Sequence, residues 1–114
     1  MFKIGLAPGP TPASTLLTRR EFLKHGHSPS AGDILEVCAE GMAVVEQIAS
    51  RMTADEGAAL ILDYGGNFPY GRPTIRGIRN HVRQSIFQHI GEVDISVDVD
   101  FDALKRTAIS RINS

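Results

Sequence analysis

Residues 58 to 63, Ala-Ala-Leu-Ile-Leu-Asp, form an unbroken apolar run that stops at a carboxylate and is followed by Tyr64, Gly65 and Gly66. A run this short, with no alternation, fits a strand buried on both faces better than a helix. Such strands belong to parallel sheets covered by helices, so this segment predicts an α/β fold. In those sheets ligands gather beyond the carboxyl ends of the strands. Asp63 and Tyr64 would sit there, with the glycine pair allowing a tight exit. A strand-end Asp serves equally as a turn former or a cap, and both roles stay open.

The segments on either side suit that frame. In residues 41 to 52, Val45, Ile48, Ala49 and Met52 recur at helical spacing, which predicts an amphipathic helix with Arg51 in its last turn. A short strand is expected ahead of it over residues 33 to 39. Residues 72 to 87 read two ways. Ile75, Ile78, Val82 and Ile86 approximate a helical face, whereas Thr74 to Ile78 alternate as a strand does, and Pro73 and Gly77 weaken a helix. Residues 92 to 100 alternate Val93, Ile95, Val97 and Val99 with polar residues, which predicts a half-buried strand, antiparallel or at an edge. Asp100 then caps a helix whose apolar face is Phe101, Leu104, Ala108 and Ile112. Residues 1 to 31 read mostly as loop, with three prolines between residues 8 and 12, and residues 34 to 112 as an α/β core segment.

The 114 residues allow one small domain or part of one. A net charge of -1 gives no reason to expect nucleic acid as a partner, and no apolar stretch approaches the roughly 20 residues of a membrane span. The lone Cys38 cannot form an intramolecular disulfide and reads as a small buried apolar side chain. The N-terminus is basic and Ser/Thr-bearing, as organelle leaders are, but its prolines oppose the amphipathic helix such leaders form. Asp94, Asp98 and Asp100 share one strand face and are read as an edge guarded against aggregation, not as metal ligands. Arg72, Arg76, Arg79 and Arg83 would form a basic stripe on a helix, solvated and paired with local acids. His25, His27, His81 and His89 lack zinc-site spacing and read as surface residues. A Gly-rich turn between a first strand and a helix, which a dinucleotide-type cofactor needs, is absent.

Five segments, "LAPGPTPAS" (6 to 14), "LEVCAEGMAVVEQIASRM" (35 to 52), "GAALILDYGG" (57 to 66), "TIRGIRNH" (74 to 81) and "VDISVDVDFDALK" (93 to 105), occur here in one order. In that order and spacing the chain resembles the mitochondrial protein arginine methyltransferase family that assists respiratory complex I assembly. The resemblance implies an α/β, partial Rossmann-like methyltransferase domain made of late strands and helices, with the first, cofactor-binding half outside the chain. It further implies S-adenosylmethionine as cofactor, a protein substrate in the form of a complex I subunit, and a mitochondrial location. Asn80 stands where that family's pattern has Gly, and residues 82 to 93 replace a more proline-punctuated loop. Methyl transfer to arginine calls for carboxylates that hold a guanidinium, which makes Asp63 with Tyr64 the leading pocket candidates, followed by Glu36 and Asp100. No cofactor-binding residue is expected within the chain, so cofactor binding by these residues alone is not expected. The alternative is a non-catalytic, truncated paralogue that serves as a protein-binding module. A segment with uncovered sheet edges is also expected to be marginally soluble.

Overall fold

The computed structural model describes residues 3–15, 26, 28, 30–67 and 72–114. His25 and His27 lie outside these. Among the described residues, after a helical turn at 12–15, the elements follow in the order α1 (Ala39–Asp55), β1 (Gly65–Gly66), β2 (Arg76–Arg79), β3 (Val82–Gln84), β4 (Asp94–Ser96), β5 (Val99–Asp100) and α2 (Phe101–Ile112).

The expected loop at residues 7 to 15 is in part helical: residues 12–15 turn helically. Thr11 N–H donates to Ser14 Oγ at 2.8 Å and Ser14 N–H to Thr11 Oγ1 at 3.1 Å, a reciprocal cap, and Pro12 follows it where a missing N–H costs nothing. The strand expected over residues 33 to 39 does not form. Residues 33–38 are irregular, with no ladder partner among the described residues, and lead straight into α1. Cys38 is exposed rather than buried, because it is the cap of α1: its Sγ accepts the Gly41 N–H at 3.3 Å. α1 also runs three residues further than its apolar pattern, so Arg51 is not in the last turn, and it ends where Glu56 adopts a left-handed φ of 52°.

Periodicity located the helix contact well for α1. Val45 and Ala49 are buried, and with Ala103 of α2 they form the buried apolar core among the described residues. Alanines at this crossing let the helix backbones approach, and Arg111 Nε adds a 2.7 Å bond to Ser50 Oγ. On α2 the buried stripe is rotated from the expected one, since Ala103 is buried while Ile112 stays half exposed. The Asp100 cap forms as expected, accepting Ala103 N–H at 3.0 Å.

The ambiguous stretch is a β-hairpin. β3, β2 and β4 form an antiparallel sheet in that order, with Arg79 paired to Val82 and Gly77 to both Gln84 and Ile95. Asn80 and His81 make the two-residue turn with φ of 51° and 61°, the positive values that match the twist of a tight hairpin. The Arg stripe therefore does not exist, since a strand sends Arg76 and Arg79 to opposite faces. Residues 92 to 100 are not one strand. β4 is an edge of the antiparallel sheet, whereas β5 pairs in parallel with β1, and the expected burial of Ile95 and Val97 is lost because both are exposed.

The strand expected over residues 58 to 63 does not form: these residues have no ladder partner among the described residues, pairing begins only at Gly65, and they are exposed, with Leu60 at 83% and Leu62 at 82%. The expected double burial fails because no strand or helix among the described residues covers them. The same openness shows in the surface, 8847 Å² against about 6,100 Å² for a closed monomer of this mass.

Candidate functional site

The run at residues 58–62 delivers Asp63 and Tyr64 to the mouth of the parallel pair. There Val99 N–H donates to Tyr64 O at 3.0 Å and β1 aligns Gly65 with Val99 and Gly66 with Asp100. Gly65 is required by the close approach: a Cβ on it would stand 2.2 Å from Val99 O. This pairing brings Asp63 beside Asp98 and Asp100 at one cavity of about 680 Å³, whose other wall is the start of α1 and the segment before it. Leu35, Val37, Val45, Ile48, Ile61 and Leu104 supply apolar lining, while Glu36, Glu40, Asp63, Asp98 and Asp100 supply carboxylates.

Three of the four residues singled out from sequence thus meet at this cavity. Tyr64 does not line it; its ring lies under the Arg76 guanidinium, 4.8 Å from the centroid. Thr74, which carries no sequence signal, and Arg76, read from sequence as one of four arginines paired with local acids, hold the walls together. Thr74 N–H donates to Glu36 Oε1 at 2.9 Å, its hydroxyl donates to Glu36 Oε2, and its Oγ1 accepts Asp98 N–H at 3.0 Å. Ile75 N–H adds a third donor to Glu36 at 3.3 Å. Arg76 Nη1 pairs with Asp98 Oδ1 and donates to Thr74 O at 3.1 Å. Asp98, taken from sequence as a solvated guard of a strand edge, instead faces an arginine. Glu40 and Asp98 are cavity residues that a strand-and-helix reading passes over, because their meeting with Asp63 depends on the β1–β5 pairing.

An apolar wall ending in carboxylates suits a side chain with a hydrocarbon stem and a cationic head, the build of arginine or lysine. The described residues do not fit an adenosyl cofactor in the same way. Gly65 is closed by Val99, Gly5 and Gly9 lie in irregular backbone, and no Gly-rich turn joins a strand to a helix. Among the described residues no group of three or more His, Cys, Asp or Glu is placed to hold a metal ion, and no helix is long and apolar enough to cross a membrane.

Residues 2–113 match the family described as putative S-adenosyl-L-methionine-dependent methyltransferases. The chain is similar to "Protein arginine methyltransferase NDUFAF7, mitochondrial" of Danio rerio, 38% identical over 96 residues, which cover 84% of this chain and 20% of that protein. The Rattus norvegicus protein of the same name is 34% identical over 109 residues, 96% of this chain and 23% of the relative. The Homo sapiens one is 31% identical over 109 residues, 96% and 22%. The chain spans about a fifth of the length of these curated relatives.

Proposed function

Because the chain belongs to the family of putative S-adenosyl-L-methionine-dependent methyltransferases, we propose that its residues build the acceptor side of a methyl-transfer site whose substrate is arginine in a protein. The observation that carries this reading is the cavity of about 680 Å³ with apolar walls and a carboxylate rim. The family's cofactor would supply the methyl group. This chain's part is to seat the acceptor, with the methylene stem against Ile61 and Leu104 and the guanidinium at Asp63. A carboxylate hydrogen-bonded to one edge of a guanidinium orients the other nitrogen and holds it in place for attack. Asp100 caps α2 and Glu36 binds Thr74, so both shape the pocket from its walls.

The relatives named as mitochondrial arginine methyltransferases support extending the proposal to a mitochondrial protein. The sequence resemblance adds a complex I subunit as substrate during assembly. Labelled methyl transfer into separated complex I subunits tests that part.

The central test is Asp63→Asn in the intact protein, with arginine methylation followed by label incorporation. Loss of one charge-assisted contact predicts a fall of about tenfold or more, with the melting temperature unchanged because Asp63 is exposed. Unaltered turnover would remove Asp63 from the site. A second reading, a partner-binding module, draws on the exposed Leu60 and Leu62. It requires methylation to be absent from the intact protein.

A further inference from the structure

Four of the five acids around the cavity differ in what engages them. Glu36 receives three donors from Thr74 and Ile75, and Asp100 receives the first turn of α2. Asp98 is paired with Arg76, and this ion pair is largely withdrawn from water, its side chains 12% and 27% exposed. The hydrogen bond that Asp63 makes among the described residues is with its neighbour, Tyr64 N–H to Oδ1 at 2.7 Å. The same guanidinium that neutralises Asp98 also stacks on the Tyr64 ring, so one side chain touches both the competing acid and the residue next to Asp63.

We propose that Arg76 is a positioning residue that decides where a cationic acceptor sits: by engaging Asp98, it keeps that acid from competing with Asp63 for the acceptor. This rests on the acceptor-pocket reading above. Without Arg76, Asp98 becomes a half-buried carboxylate with no counter-charge, and a buried acid in that state draws in whatever cation is within reach. A guanidinium entering the cavity as acceptor supplies such a cation. It then binds in a second register, away from Asp63, and binding no longer leads to transfer. A substrate that binds as well but reacts less lowers kcat without raising KM.

The test compares Arg76→Gln, Asp98→Asn and the double variant in the intact protein. It measures methylation kinetics on an arginine-containing peptide, calorimetric affinity for that peptide, and melting temperature. Arg76→Gln is expected to lower kcat by about tenfold or more, the scale of one misplaced charge-assisted contact, with KM unchanged or lower. Asp98→Asn, which leaves the Arg76 cation at the rim, is expected to raise KM. The double variant removes the competitor and is expected to recover kcat to within about threefold of the parent. A merely structural role gives a different pattern, because the double variant still lacks the Tyr64 stacking and the bond to Thr74 O. A double variant as impaired as Arg76→Gln, or an Arg76→Gln protein with parental kcat, overturns the proposal. The two readings separate cleanly. Methylation by the parent with no rescue in the double variant leaves the acceptor pocket standing and removes Arg76's role. A parent that binds the peptide without methylating it, with affinity raised by Arg76→Gln and restored in the double variant, does the reverse.

Discussion

Gly65→Ala puts the β1–β5 pairing to its most direct test. The new Cβ would stand 2.2 Å from Val99 O, 2.7 Å from Val99 N and 2.9 Å from Val99 C. All three atoms are backbone, so no rotamer change relieves the overlap, and β5 must move by about 1 Å to regain ordinary contact. That shift breaks the 3.0 Å bond from Val99 N–H to Tyr64 O and the pairing that continues from it. Two backbone hydrogen bonds at about 1 kcal/mol each come to about 2 kcal/mol, or a factor of about 30 in the local opening equilibrium. Amide hydrogen exchange reads this directly. The Val99 amide should exchange about thirtyfold faster in Gly65→Ala, while amides in the middle of α1 keep their protection. Asp63 and Asp100 would separate at the same time, so methylation should fall with it. An unchanged Val99 exchange rate would refute the parallel pairing, and with it the placement of Asp63 at the cavity.

Two further substitutions probe the elements around the site. His81→Gly should raise the unfolding free energy by about 0.5–1 kcal/mol, because His81 holds a φ of 61° that glycine adopts freely; no shift in the denaturation midpoint would count against the two-residue hairpin turn. Thr74→Val keeps the shape but strips the hydroxyl that serves Glu36 and Asp98 N–H, and should cost about 2 kcal/mol in thermal or chemical unfolding, while Thr74→Ser should cost much less. A Thr74→Val protein as stable as the parent, with the loss falling on Thr74→Ser instead, would show that the methyl group, not the hydroxyl, matters there.

Helix positions were legible in the sequence because their causes are local. Asp100 meets its partner three residues on, and Val45 and Ala49 share a face through the helical repeat itself. The hairpin was half legible: the alternation through Thr74 to Ile78 was visible, but Asn80-His81 is an unusual turn pair and concealed it. Gly77, which weakened a helical reading, is there for the sheet, since a Cβ would meet Val93 Cγ1 at 2.7 Å. The alternation in residues 92 to 100 misled because it treats one segment as one strand, whereas β4 and β5 answer to different partners.

The sequence by itself determined the two helices, the Asp100 cap, the apolar run ending at Asp63 and, through the order of its segments, the methyltransferase family. Only the tertiary structure decided which carboxylates meet at the cavity and which of them are engaged by partners distant in the chain. Glu36 is 38 residues from Thr74 and Arg76 is 22 from Asp98. Capping and periodicity act over three or four residues, and a hydrogen bond across such distances exists only once the β1–β5 and hairpin pairings have brought the segments together.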